Sequence, residues 1–380
     1  KALSGVKEKT KVLVERGVNR VEKWEAFFSN QGANIAVLTL LIAFDIGMTW
    51  WGVWEFLSPR LQTTSDVLRV TLPIARGAGR AVTWNSALVL ISGSKLLWTY
   101  IRKTPIQYAF PVDKVMPYYH RLIALTIIFA GCILHTIPQI VNYATGSLPL
   151  SGGFWTFGDG FASTQLLITG ILLVIFFSAF FVTTLERVRR TAVGFRLFWV
   201  VHIVSILAVF PLLIIHGTER GYPLTVYFIC GPLVIYIIDG VLRRTVLAKT
   251  SASAQILELK AFEDNEDRVT KLVIYAPGWE YRPGNYAEIK IPSISLFEWH
   301  PFTIASPPDS DNVGTATFYI KAAGRWTNAL YDYASTQSGG ALPMNILRTK
   351  TGDVENPDKH KGIDVNIRGP FGAPAQNYSA

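Results

Sequence analysis

Apolar residues gather in six long runs along this chain, at 34–57, 76–100, 117–143, 162–185, 195–216 and 223–242. Each approaches or exceeds the roughly 20 apolar residues needed to cross a bilayer as a helix, so the pattern predicts six transmembrane helices. Ahead of them, residues 1–33 interleave Lys7, Lys9, Lys11, Arg16, Arg20 and Lys23 with Val12, Leu13, Val14, Val18, Val21, Trp24, Phe27 and Phe28. That mixture predicts an amphipathic cytosolic helix, and both a basic helix on the inner leaflet and a plain solvated helix fit it. From about residue 250 the texture changes. Stretches 256–260, 271–275, 286–291 and 315–321 alternate or run apolar over strand length, punctuated by Pro277-Gly278 and Pro283-Gly284. Such spacing predicts a small antiparallel barrel over 250–380. The expected fold class is an α-helical membrane bundle of six transmembrane helices over 34–247 followed by a small antiparallel β-barrel domain.

Composition sharpens this. Half the residues are hydrophobic and 17% are charged, which excludes a disordered chain and argues against a purely soluble enzyme. The net charge of +9 could suggest nucleic acid, but the basic residues sit at the ends of apolar runs. Arg102, Lys103 and Lys114 lie between the second and third runs; Arg187, Arg189, Arg190 and Arg196 between the fourth and fifth; Arg243, Arg244 and Lys249 after the sixth. The alternate loops are sparser. This bias places both termini in the cytoplasm, with the lipid bilayer as partner and no nucleic acid. Cys132 and Cys230 both fall inside apolar runs, so neither a disulfide framework nor a cysteine zinc site is expected. The chain begins at Lys1 rather than Met and ends at Ala380, and an excerpt of a longer protein is expected.

Four of the six histidines fall in two of the runs: His120 and His135 in the third, His202 and His216 in the fifth. Ionisable residues inside a membrane are costly and by default functional. Spacings of 15 and 14 residues separate each pair by roughly 21–22.5 Å and keep its members within roughly 40–60° of one face. Both runs cross in the same direction, so His120 and His202 share the inner level and His135 and His216 the outer. Facing imidazoles supply both axial positions of a haem iron, and the absence of Cys-x-x-Cys-His leaves two b-type haems as the expectation. The alternative, histidines that merely bond to neighbouring helices, suits one isolated histidine better than two matched pairs.

The stretch Glu298-Trp299-His300-Pro301-Phe302-Thr303, then Gly324-Arg325-Trp326-Thr327, then Gly369-Pro370-Phe371-Gly372 resemble, in order, three motifs of the NADPH oxidase catalytic subunits. With the histidines the resemblance spans about 34–380. It implies an FAD-binding barrel of the ferredoxin-reductase type, with His300, Pro301, Phe302 and Thr303 lining the isoalloxazine. Lys321 stands where the family usually carries an arginine for the flavin phosphates, with Ser306 close by, and Trp326 belongs to the second motif. Gly369, Pro370, Phe371 and Gly372 would bring backbone close to the dinucleotide. It also implies NADPH as electron donor, oxygen as acceptor, and either regulatory subunits or a homo-oligomer as partners. The family's nucleotide-binding domain would follow beyond Ala380. Both histidine spacings are one residue longer than the family's usual pattern, and Pro211 is expected to kink the fifth helix and absorb the extra residue there.

At the outer end, Arg76 matches a family arginine associated with oxygen near the outer haem, where it would pair with propionates and attract superoxide. An ordinary interfacial arginine is the plainer reading. Gln139 stands where the family has a second outer histidine; it can hydrogen-bond but cannot deliver a proton. Asp45, deep in the first run, is read either as part of a proton route or as bonded to a neighbouring helix, and Trp50, Trp51 and Trp54 as an interfacial belt. The expected activity is electron transfer from NADPH through FAD and two haems to oxygen, giving superoxide. A ferric-chelate reductase shares everything but the acceptor, and a non-enzymatic membrane protein with satisfied histidines is the third reading.

Overall fold

A computed structural model describes residues 2–57, 65–147, 164–189, 191–217, 224–249, 254–265, 267–308, 313–337, 342–343 and 365–372. The expectations resting on 1–33 as a separate surface helix fall largely on side chains outside this set. The backbone there belongs to one helix, α1, that runs from Ala2 to Leu57, so no break separates the amphipathic stretch from the first apolar run. Two compact units are formed, one of residues 1–86 and 101–164, the other of 87–100 and 165–380.

In the first unit, α1 and α2 (Asp66–Gly93) cross backbone to backbone. A Cβ on Gly52 would lie 2.7 Å from the Arg76 carbonyl oxygen, and one on Gly77 would lie 2.8 Å from that of Thr49. Only glycine permits that approach, as at small-residue crossings of membrane helices. Side-chain pairs staple the crossing: Arg80 donates to Glu55 at 2.6 Å and lies over the Trp51 ring, and Asn85 donates to Asp45 at 2.6 Å. Asp45 thus has the neighbouring-helix bond of its plainer reading. Trp50 and Trp54 stay exposed, as an interfacial belt requires. The third apolar run forms α4 (Val112–Ala144), which is interrupted by two π-helical turns, Val115–Tyr119 and Ala130–His135.

The second unit contains α3 (Lys95–Ile101), α5 (Thr164–Thr184), α6 (Ala192–Gly217) and α7 (Leu224–Lys249). Pro211 lies inside α6, which is α-helical throughout. Among the described residues five helices are long and apolar enough to span a bilayer: Gln31–Glu55, Val112–Ala144, Thr164–Thr184, Val193–Gly217 and Leu224–Thr245. The expected span 76–100 falls instead on α2, which ends at Gly93 before Ser94 and α3. α2 buries Leu72, Ala75, Ala78, Ala81, Asn85 and Ser86. Neighbouring protein satisfies such polar groups, so this helix does not need the uniform apolarity of a lipid-facing one. The other helices leave Ile42, Ile140, Ile175, Leu207, Val234 and Ile237 exposed, an apolar surface that calls for lipid.

The chain then forms β1 (Gln255–Asp264), β2 (Asp267–Tyr275), β3 (Tyr286–Lys290), β4 (His300–Thr303), β5 (Thr315–Lys321), α8 (Arg325–Gln337), β6 (Leu342–Pro343) and β7 (Asn366–Phe371). They make a four-stranded sheet in the order β5-β2-β1-β6 and a three-stranded one in the order β4-β3-β7. The sheets are antiparallel except that β6 joins β1 in parallel. No closed ladder joins them among the described residues, so the expected barrel is present only as two sheets. Leu259, Leu272, Ile274, Ile289, Phe318, Ile320 and Ile367 pack with Trp326 and Leu330 of α8 in one core.

Candidate functional site

The extra residue between His120 and His135 has a visible outlet. The turn Ala130–His135 is π-helical, and such a turn accommodates one inserted residue without rotating the flanking α-helix. Fifteen residues therefore advance α4 by about fourteen α-helical steps, which equals the His202–His216 interval in the unbroken α6. Each pair thus has the same rise along its own helix, its two histidines about 21 Å apart by this count.

Each outer histidine is oriented by its neighbours. In the first unit, His135 Nδ1 lies 2.7 Å from the carbonyl oxygen of Ala75. A carbonyl only accepts, so Nδ1 carries the proton and Nε2 keeps its lone pair. In the second unit, His216 Nδ1 lies 2.9 Å from Thr169 Oγ1, whose own proton goes to the Gln165 carbonyl at 2.7 Å. Thr169 therefore accepts from Nδ1, and again Nε2 is left as the donor atom for a metal. Second-shell tethers of this kind fix ligating histidines. Glycine backbone lies against both rings: a Cβ on Gly79 would stand 3.3 Å from His135 Nδ1, and one on Gly170 would stand 3.3 Å from His216 Cε1.

His202 sits among Phe180, Phe198 and Trp199, with ring centroids 4.9, 5.2 and 6.1 Å away. His120 begins the α-helical stretch of α4 directly after the first π-turn. All four histidines are half-buried. In each unit a histidine with its lone pair on Nε2 lies against glycine backbone, and in the second unit His202 is walled by aromatic rings; each is chemistry that suits a haem ligand. Among the described residues no group of three or more His, Cys, Asp and Glu is placed to hold a bare metal ion.

Arg76 and Gln139 lie near His135 by their places in the chain. Arg76 follows Ala75, whose carbonyl tethers His135, and is half-buried. Gln139 lies one turn beyond His135, and its Oε1 accepts from Asn142 Nδ2 at 3.1 Å. Asn142, fully buried, also accepts through Oδ1 from the Thr71 hydroxyl. This chain of bonds fixes the Gln139 amide so that its NH2 group faces away from Asn142.

In the sheets, β3 is the organiser. Its Ile289 pairs with His300 of β4 on one side and Ile367 of β7 on the other, while Tyr286 pairs with Thr303 and Phe371. Motifs some seventy residues apart thereby flank a single strand. Gly369 occupies a bulge opposite β3 with φ +129°, where a Cβ would lie 3.2 Å from the Tyr286 carbonyl oxygen; only glycine suits it. Its own carbonyl accepts from Trp279 Nε1 at 3.0 Å, and Phe371 packs on Tyr286. Gly372 follows the strand.

The remaining motif arrives on α8. Thr327 Oγ1 accepts the N–H groups of Ala323 and Gly324 at 3.0 and 2.9 Å, which sets the turn that starts the helix. Trp326 then stacks on His300 at 4.6 Å and on Phe302 at 5.8 Å. Glu298 holds the arrangement from outside, accepting from Arg325 at 2.5 Å and lying 3.3 Å from His300 Nε2. Burial pushes the His300 pKa down and outweighs the pull of Glu298, so the ring is neutral near pH 7. Trp326 Nε1 is buried without a hydrogen-bond partner among the described residues. Planar aromatic faces, a neutral imidazole and an unsatisfied buried donor suit a flavin. Pro301 and Thr303 remain exposed on the opposite face of β4.

Two expected phosphate contacts are otherwise engaged. Ser306 Oγ accepts the Thr317 N–H at 3.0 Å and bonds to the Tyr281 hydroxyl at 2.7 Å, tying the end of the motif loop to β5. Lys321 has an exposed ammonium that pairs with Asp267 at 2.5 Å. Sequence reasoning missed Thr169, the Ala75 carbonyl, Gly79, Gly170, Glu298 and Tyr281. Gly170 is the member that leaves a trace in sequence, as an isolated glycine inside an apolar helix.

Comparison with known proteins agrees with both halves. Residues 78–213 match the family described as ferric reductase like transmembrane component, and residues 252–375 match the FAD-binding domain family. One part of the chain is thus similar to a ferric reductase like transmembrane component and another to an FAD-binding domain, and most of its length is similar to NADPH oxidases. It is 29% identical over 355 residues to respiratory burst oxidase homolog protein E of Arabidopsis thaliana, covering 86% of this chain and 36% of that protein. It is 25% identical over 383 residues to a superoxide-generating NADPH oxidase heavy chain of Dictyostelium discoideum, covering 94% and 51%. With human NADPH oxidase 5 it shares 26% identity over 334 residues, covering 82% and 42%. The chain therefore spans between about a third and a half of these relatives' length.

Proposed function

We propose that this chain is the electron-carrying part of a superoxide-generating NADPH oxidase, moving electrons from FAD across a membrane to oxygen. The observation that carries the reading is the pair of outer histidines, each directing Nδ1 at an acceptor, which sets the tautomer whose lone pair is on Nε2. His135 and His216 would hold the outer haem, and His120 and His202 the inner one. His300, Phe302 and Trp326 would hold the isoalloxazine, with Gly369 to Gly372 beside it. Bound there, FAD would supply the conversion of a two-electron donor's hydride into single electrons, and haem would supply their one-electron relay.

The chain's own residues position and tune. Ala75 and Thr169 keep the imidazoles in one tautomer. Neutral His300 presents a ring without a competing charge. Arg76 supplies positive charge beside the outer histidine, where an anionic product forms. The Gln139 amide offers N–H donors to a bound acceptor but no acidic proton. α2 completes a set of six spans with both termini cytoplasmic, and the two sheets form the FAD-binding barrel.

Ferric-chelate reduction is the second reading, favoured by the match of 78–213 to the ferric reductase like component and by Gln139. The test is acceptor reduction by the protein loaded with haem and FAD in vesicles, its flavin reduced by light with EDTA as electron donor. Dye reduction abolished by superoxide dismutase is the expected result. Ferric reduction that persists without oxygen, with no dismutase-sensitive signal, would favour the reductase.

A further inference from the structure

Within the second unit, the outward face of the three-stranded sheet carries charges that an isolated sheet would leave in water. Glu288 of β3 is the central one. It stands opposite Pro301 of the flavin motif and beside Arg368 of β7, yet it is only 7% exposed. Its Oε1 accepts from Lys95 Nζ of α3 at 2.8 Å. A buried carboxylate is costly unless paired, and a hydrophobic residue of similar size would stabilise at least as well. Such a pair is better suited to fixing one docking geometry than to adding stability.

A second contact lies close by. Asp239 of α7, 4% exposed, accepts the backbone N–H of Leu97 at 2.9 Å and the Arg243 side chain at 2.8 Å. α3 is thereby held to α7 through Asp239 and to β3 through Lys95. β7 packs on α7 as well. Arg368 feels Glu288 as well as the repelling Arg243 and Arg244, while its guanidinium lies 3.6 Å from the Trp299 ring centroid. A shift of the sheet along α7 would strip Glu288 of Lys95 and leave Arg368 facing two arginines. The charge pattern therefore favours one register.

We propose that Lys95, Glu288 and Asp239 form a docking clasp that sets the strand bearing His300 and Phe302 against the ends of α3 and α7, and so fixes the path from flavin to the nearer haem. They are positioning residues, and this rests on the relay reading above. The test uses the full chain loaded with haem and FAD in detergent, without oxygen. Light with EDTA as sacrificial donor reduces FAD, and one electron then passing to a ferric haem is followed by its absorbance. Lys95→Glu and Glu288→Lys should each slow this transfer about tenfold or more, the scale of a small misplacement, with haem and FAD content unchanged. Lys95→Arg should keep most of the rate, and the reversed pair Lys95→Glu with Glu288→Lys should recover it. Equal rates in the single variants, or a loss that reversal does not repair while FAD stays bound, would overturn the clasp. Thermal melting of the same four charge states, with or without cofactor, should show coupling between the two positions; additivity there would also overturn it. A wild-type chain that takes up neither haem nor FAD but still shows coupled melting would sink the relay and leave the contact standing.

Discussion

A histidine becomes a dependable ligand when one ring nitrogen is committed elsewhere. Thr169 does this for His216 by accepting from Nδ1 while donating to Gln165. Thr169→Val keeps the shape and removes the acceptor. We expect it to weaken retention of one haem about 10- to 100-fold, as loss of second-shell partners does, and titration of apo-protein with haemin would measure this. Gly170→Leu should abolish that haem more completely, since even its Cβ falls 3.3 Å from the ring. The other residue-scale prediction concerns His300. Burial holds its pKa below the ordinary 6.5. The unfolded ring therefore takes up a proton first as pH falls, so the stabilisation is complete above about 6.5 and is lost progressively below it. Melting of the FAD-binding part should drop in that window, and His300→Gln should flatten the drop. An unchanged slope would show that other groups govern it.

At the scale of elements, the π-turn before His135 is the feature that equalises the two ladders. Deleting Ile133 should convert that turn to α-helix and leave both haem signals in place. Deleting Ala208 from the regular α6 should rotate His216 by about 100° relative to His202 and cost one haem. Difference spectra of the two deletions would check this, and equal damage from both would refute the role given to the turn. In sequence the two ladders read as already level, and Pro211 is offered for the residue by which α6 exceeds the family's usual spacing, so the turn in α4 goes unseen. A proline in a helix is visible as a letter, whereas a π-turn depends on how Ala130–His135 packs. Strands β3 and β5 were legible from alternation almost to the residue, while β1 and β2 were found but run four residues further, to Asp264 and from Asp267. The helix α8 was hidden behind its motif: Gly324 to Thr327 reads as a signature, and only folding shows that Thr327 starts a helix aimed at His300.

On the scale of the molecule, the membrane class was legible in the apolar runs, five of which form helices long and apolar enough to span a bilayer, while α2 also buries polar side chains against protein. The flavin motifs were legible, but their convergence on β3 was not, since strand order is a long-range property. Trp326→Ala, emptying a site 2% exposed in the shared core, should cost about 3–5 kcal/mol and abolish FAD fluorescence quenching in a titration. The central claim is that two iron porphyrins are held by His120, His135, His202 and His216. Counting haem per chain by the pyridine haemochrome, in wild type and in His135→Ala, tests it most directly. The account predicts two b-type haems falling to one. A ratio that does not change on substitution, or a wild-type chain that binds none, would contradict it.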